Sequence, residues 1–367
     1  MRMRSHRSMI ALAATFTLLT PSHEARDPWD QESLRRVAAE DPVAVMGDYE
    51  GYSSMNDGTE APLAAQVVAM GNGEYRARVS RVFGEWEELG AILDGEEKDD
   101  AVVFGGIIEQ GEYTGLELTG SIRQEQFSGS LKSGSGEAGV FQMEKVKRLS
   151  ATLGAKTSEE AITLFDGTDF LEWEQLPSSR GLLNRILNNL RKKRVQWRLV
   201  DGAMEVKPGS GSIVTRRKFT DFRLHVEFRT PFMPEARGQD RGNSGVYLQG
   251  RYEIQVLDSY GLEGRDNECG GIYKVANPRI NMCAPPLQWQ TYDISFRSPR
   301  FDSNKKKIRS ATVTVLHNGV EIHKDVEVDF PTGGEVDSDI SQAGGIFFQD
   351  HGNRVRYRNV WLEEIGE

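Results

Sequence analysis

The chain has 367 residues, 45 basic and 55 acidic, for a formal net charge of −10. That length exceeds one comfortable hydrophobic core, so two domains plus extras are expected. The acidic balance argues against nucleic acid or an anionic membrane as the main partner and leaves neutral, polyhydroxylated ligands open.

Residues 1–22 read as a signal peptide. Met-Arg-Met-Arg-Ser-His-Arg-Ser is a basic opening, Met9 to Thr20 is apolar apart from threonines, and Pro21 and Ser22 follow as a small-residue cleavage region. The apolar run is too short to span a bilayer in comfort, and no later segment reaches the length required. Export to the periplasm or the extracellular space is expected, with no stable membrane insertion once the signal is removed.

Residues 23–44 hold a short polar helix candidate, Asp27 to Glu40, broken at Asp41-Pro42. From 45 to 147 the pattern changes to short β-type runs separated by glycine: 47–52, 63–70, 75–82, 101–108, 115–123, 126–131 and 140–146. Such spacing predicts a small all-β domain, a barrel or a sandwich. Asp94 to Asp100 reads as a solvated acidic turn, because it lacks the alternating ligand order of a calcium loop. Residues 148–163 read as a polar linker in which Thr157 and Glu160 cap one helical turn.

The second domain begins at Leu164-Phe165-Asp166-Gly167 and runs from 164 to 367. A helical pattern over 182–194, with Leu183, Ile186, Leu187 and Leu190 on one side, reads as an insertion packed over a sheet with a solvated basic end. Beyond it the text alternates. Phe222, Leu224, Val226 and Phe228 interleave with Arg223, His225, Glu227 and Arg229. Val246, Leu248, Ile254 and Val256 define an apolar face opposite a polar wall of Tyr247, Gln249, Glu253 and Gln255. Asn318-Gly319 is a hairpin turn signal. The fold class is therefore all-β: an antiparallel sandwich with one polar sheet face forming a shallow trough, preceded by the smaller β domain.

Several motifs occur in order: Leu-Phe-Asp-Gly at 164, Gly-Asn-Ser-Gly-Val-Tyr-Leu-Gln at 242, Tyr-Glu-Ile-Gln-Val-Leu-Asp-Ser at 252, Cys269-Gly-Gly-Ile-Tyr273, Trp289-Gln-Thr-Tyr-Asp, Pro299-Arg-Phe-Asp302 and Gln349-Asp-His-Gly-Asn353. Together they resemble the 3-keto-disaccharide hydrolase domain family, also described as 3-keto-glucoside lyase and hydratase domains. The resemblance covers Leu164 to the end and not the first β domain. It implies a concanavalin-like jelly roll and action on glycosides already oxidised at C3. A ketone there acidifies the C2 proton, so a base can remove it, the C1 substituent leaves by β-elimination, and water then adds.

This chemistry needs proton transfer and stabilisation of a developing enolate. Glu253 leads the catalytic candidates with Gln255 beside it on the same strand face, and its competing reading is a rim carboxylate held by arginine. His351, in a strand-end loop next to Asp350, suits proton abstraction. Tyr247, Gln249, Asp258, Tyr273, Lys274, Asp350 and Arg223 are expected to bind substrate. His225 and Glu227, two apart on one strand face, form a weaker candidate pair for a divalent metal. Cys269 and Cys283, the only cysteines, are expected to pair as a disulfide that contributes roughly 3 kcal/mol. Two rival functions stand beside this one: a non-catalytic carbohydrate-binding module, and a conventional glycosidase using Glu227 and Glu253 as its carboxylate pair.

Overall fold

The computed structural model describes residues 42–84, 89–176, 194–336 and 338–366. The expected signal peptide, the helix of 27–40 and residues 182–193 of the basic insertion lie outside the described residues. Among the described residues, no helix is long and apolar enough to cross a membrane.

Eight described strands close an antiparallel barrel: Gly47–Met55, Glu60–Gly71, Glu74–Ser80, Leu89–Lys98, Ala101–Gly111, Glu117–Arg123, Gln126–Ser133 and Gly136–Val146. The first pairs with the last, with Gly51 opposite Met143. Alternate side chains fill the interior, where Phe127 packs 5.1 Å from Phe104 and 5.3 Å from Phe141 between ring centroids. Gly129 makes room for this, since a Cβ there would overlap the Thr119 carbonyl and stand 2.8 Å from the Phe141 ring. The expected acidic turn is mostly strand. Leu89, Ala91 and Leu93 point inward and are buried, while Asp94 pairs across the ladder with Arg76 at 3.0 Å, leaving only 99–100 as the turn.

The rest folds as a jelly-roll sandwich. One sheet has five described strands in the order Trp173–Gln175, Ile213–Thr215, Phe347–Phe348, Ser244–Leu248, Tyr252–Val256. The other has eight, centred on Phe222–Arg229, which lies between Arg356–Glu364 and Gln290–Arg297. Phe222, Leu224, Val226 and Phe228 are buried between the sheets, as their alternation requires. The rings of Phe348 and Tyr357 stack across the core at 4.2 Å. Asn318 and Gly319, at φ 53° and 83°, form the expected hairpin turn.

Residues 148–163 form turns and extended chain rather than a capped helical turn. They bind the outer face of the eight-stranded sheet: Gly154 N donates to Glu227 Oε1 at 2.6 Å and Thr152 Oγ1 to Asp293 Oδ2 at 2.6 Å. The barrel shares a continuous apolar core with the sandwich. Its junction is polar at two buried points, where Tyr260 Oη donates to Asp48 Oδ1 at 2.8 Å and Arg241 Nη2 reaches the Ala69 carbonyl at 3.4 Å.

Candidate active site

Strand register assembles the site. On the outer face of the five-stranded sheet, Val214 stands opposite Phe347, Phe347 opposite Tyr247, and Tyr247 opposite Glu253. Directly opposed residues share a face, so these side chains form one row. In the next row Gln255 stands opposite Gly245, and Gln349 N donates to Gly245 O at 3.1 Å. Gly245 keeps this floor open: a Cβ there would overlap Glu253 Oε1 and lie 2.8 Å from Tyr247 Cε2.

Glu253 is the chemical centre of the row. It is only 3% exposed. Burial, which outweighs the Tyr247 hydrogen bond and the nearby Lys274 charge, pushes its carboxyl up to about 7. Tyr247 Oη donates to Glu253 Oε2 at 2.8 Å and accepts from Gln349 Nε2 at 3.1 Å. Burial and the Glu253 charge hold the Tyr247 phenol far above its usual value, so it stays a donor. One amide atom of Gln255 lies 2.8 Å from Glu253 Oε1, and the other lies 3.1 Å from Gln239 Oε1.

The loop 331–336 runs beside the acid. Thr332 Oγ1 accepts from Glu253 N at 2.9 Å, and Gly334, at φ +70°, passes so close to Tyr247 that a Cβ would lie 2.7 Å from its hydroxyl. On the other flank Tyr273 N donates to Glu253 O at 3.2 Å, and the Lys274 ammonium sits 5.1 Å from the Tyr273 ring centroid. A cleft of about 850 Å³ adjoins the row, lined by Ser212, Gly334, Phe347, Gln349, Asp350 and His351. Asp350 shapes its wall by accepting from Gly211 N and Gly352 N at 2.9 and 3.0 Å, and His351 stands exposed on that wall. The arrangement connects the buried Glu253 carboxyl, through Tyr247 Oη and Gln349 Nε2, to a cleft whose wall Gln349 helps to form.

The structure brings Glu253, Gln255 and Tyr247 together, with Tyr273 and Lys274 on one flank and Asp350 and His351 on the cleft wall. It sends other expected site residues elsewhere. The strand ends at Leu248, and Gln249, at φ 52°, turns its amide onto the Phe219 carbonyl and Ser298 Oγ at 2.8 and 2.6 Å. Asp258 is sealed in an ion pair with Arg241 at 2.6 Å beside the barrel. Arg223 is exposed on the other sheet.

His225 and Glu227 also belong to the eight-stranded sheet, and their donor atoms are already engaged. His225 Nδ1 meets Asp293 Oδ1 at 2.6 Å, while Glu227 accepts from Arg358 Nε at 2.7 Å and Asn359 Nδ2 at 2.9 Å as well as from Gly154 N. No group of three metal-ligating His, Cys, Asp or Glu side chains is present among the described residues. This pair seats the 148–163 segment. Glu227 and Glu253 lie on different sheets and cannot act as paired carboxylates. Cys269 and Cys283 are free, buried thiols that lie against each other without the expected disulfide bond, and Cys269 Sγ also lies 3.2 Å from Tyr292 Oη.

Gln349, Gly245 and Gln239 adjoin the candidate residues and were missed by the sequence reading. The available signal was parity: Phe348 faces the core, so Phe347 and Gln349 must face the trough, just as Gly245 shares the face of Tyr247.

A family model for the 3-keto-alpha-glucoside-1,2-lyase-like domain matches residues 160–363. Two solved structures from Parabacteroides distasonis ATCC 8503, each provisionally named a glycosyl hydrolase, are similar. One is 33% identical, with 56% of this chain and 84% of that chain covered and a TM-score of 0.48. The other is 20% identical, with 58% and 99% covered and a TM-score of 0.41. The chain matches none of the curated proteins.

Proposed function

Because the chain belongs to the 3-keto-alpha-glucoside-1,2-lyase-like domain family of carbohydrate-active enzymes, we propose that its cleft cleaves glycosides oxidised at C3, working outside the cytosol after export. Proton abstraction at C2 converts the C3 ketone into its enolate. The C1–O bond then breaks with protonation of the departing oxygen, and water adds across the new C1=C2 bond to release the 3-keto sugar.

One observation carries this reading: a buried carboxyl pushed up toward neutrality that Tyr247 and Gln349 link to an adjoining cleft. Glu253 can exchange a proton at physiological pH because burial removes the usual preference for the ionised form. His351 on the cleft wall is the second proton-transfer group, Gln255 positions Glu253, and Lys274 supplies a positive charge near Glu253 that favours anionic intermediates. The placement of Glu227 on the other sheet weighs against the conventional two-carboxylate glycosidase.

The test is incubation of purified protein with a 3-keto-glucoside and with the same glucoside unoxidised. Cleavage confined to the oxidised substrate supports the proposal. Equal hydrolysis of both, or binding without turnover, rejects it in favour of a conventional glycosidase or a binding module respectively.

A further inference from the structure

Hydrogen-bond direction around Glu253 can be traced from two backbone carbonyls, which only accept. Gln239 places an amide atom 2.7 Å from the Asn267 carbonyl, so that atom is its NH₂ and its Oε1 points back toward Gln255. Asn243 places an amide atom 2.7 Å from the Gln239 carbonyl, which identifies its NH₂ as well, and the same nitrogen donates to Gln239 Oε1 at 3.1 Å. Gln239 Oε1 is therefore an acceptor facing Gln255 at 3.1 Å, and Gln255 must meet it with its own NH₂, which also lies 3.4 Å from the Asn267 carbonyl. That leaves Gln255 Oε1 facing Glu253 Oε1 at 2.8 Å. Two oxygens at that distance require a proton between them.

The other carboxyl oxygen does not carry that proton. Tyr247 Oη donates its single hydrogen to Glu253 Oε2 at 2.8 Å, the arrangement in which Gln349 Nε2, 3.1 Å away, donates to that same hydroxyl; the unpartnered Gln349 Oε1 adds no independent constraint. Both chains of donors converge on the acid, and the hydrogen belongs on Glu253 Oε1. The Ser244 carbonyl, 3.2 Å from Gln255 Oε1, opposes this arrangement, but the reverse amide would set Gln255 Oε1 against Gln239 Oε1 at 3.1 Å and forfeit the Asn267 contact. The charged and titratable groups near the acid and its Tyr247 partner are Lys274 and Tyr273 from one loop, Glu335 from the other and Tyr357 from the core.

We infer that Glu253 rests protonated and is the proton donor of the site, and that Gln239 is the positioning residue that holds it so by fixing the Gln255 amide. Resting on the functional reading above, this assigns Glu253 to the departing glycosidic oxygen: the Glu253 O–H bond breaks, the proton joins the leaving oxygen, and the carboxylate formed is met by rotation of the Gln255 amide, which brings NH₂ to Glu253 and to the Ser244 carbonyl.

The experiment is carboxyl-¹³C NMR titration of the full chain, with the Glu253 resonance identified by its absence in Glu253→Gln. In the wild type Glu253 should remain protonated below neutrality. Gln239→Leu frees Gln255 to donate to the carboxylate, so the proton affinity of Glu253 should drop about tenfold, and a second variant, Gln239→Glu, keeps an acceptor toward Gln255 and should leave it unchanged or higher. A wild-type Glu253 that is ionised at pH 6, or a Gln239→Leu affinity that stays level or rises, overturns the inference. If the titrations behave as expected but 3-keto-glucosides are not cleaved, the resting proton stands and only the substrate assignment falls.

Discussion

Gly245→Ala tests whether the floor of the trough is shaped for Glu253. The new methyl would overlap Glu253 Oε1 and lie 2.8 Å from Tyr247 Cε2, and both side chains are buried with little room to retreat. Gly245 has an ordinary strand backbone, absent from the positive-φ positions, so the substitution adds bulk without backbone strain. Relief requires moving the carboxyl on the order of 1 Å, a displacement that costs about 100-fold when the group reacts with substrate. Overpacking of this kind destabilises by about 1–3 kcal/mol, which leaves a chain of this size folded. The assay is kcat on a 3-keto-glucoside alongside urea unfolding, with Gly245→Ala/Glu253→Asp as the companion: the shorter acid should recover much of the lost stability but not the rate. A Gly245→Ala protein with wild-type kcat would refute the placement of Glu253 in the chemistry.

Four further outcomes follow from other parts of the structure. Glu227, whose carboxyl is held down to about 2 because hydrogen bonds from His225, Asn359, Arg358 and Gly154 N together overcome burial, contributes stability that is present above its unfolded value and is lost as pH falls toward 2; Glu227→Gln should flatten that acid limb in unfolding measured against pH. His225 runs the other way: burial lowers it, but Asp293 and Glu227 together raise it, so its share is full below its unfolded value near 6.5 and fades as pH climbs through the folded one, a dependence that His225→Gln should remove. Asp258→Ala leaves Arg241 buried without its ion-pair partner and should cost roughly 3–5 kcal/mol in urea unfolding. The two thiols should be unreactive to a thiol reagent in the native protein and both reactive after unfolding without reductant; only unfolded protein that still withholds them would restore the disulfide.

The parts of the fold that were readable from sequence are those where one strand face is buried and the other wet. Phe222–Arg229 and the pair Ser244–Leu248 and Tyr252–Val256 advertise this by strict alternation, and their register then forces Glu253, Tyr247 and Gln255 together. Alternation also misleads at its ends. Gln249 continues the polar parity, yet the chain has already entered a left-handed turn that swings the amide away. Nor does parity name the sheet: His225 and Glu227 carry the same polar-face signal as Glu253 but face the 148–163 segment on the opposite side of the sandwich. Leu89–Lys98 was hidden because its outer half is acidic, although Leu89, Ala91 and Leu93 keep the period. Cysteine spacing supports loop-length and compartment arguments but carries no sulfur geometry: Cys269 and Cys283 come together without a bond between them.

The most direct measurement is the fate of the C2 hydrogen. A 3-keto-glucoside deuterated at C2 should lose its label to solvent during cleavage by the wild type and show a primary isotope effect when proton removal limits the rate. Released 3-keto sugar that keeps its C2 deuterium would mean the glycosidic bond breaks without an elimination, and the chemistry built here around Glu253 would be wrong.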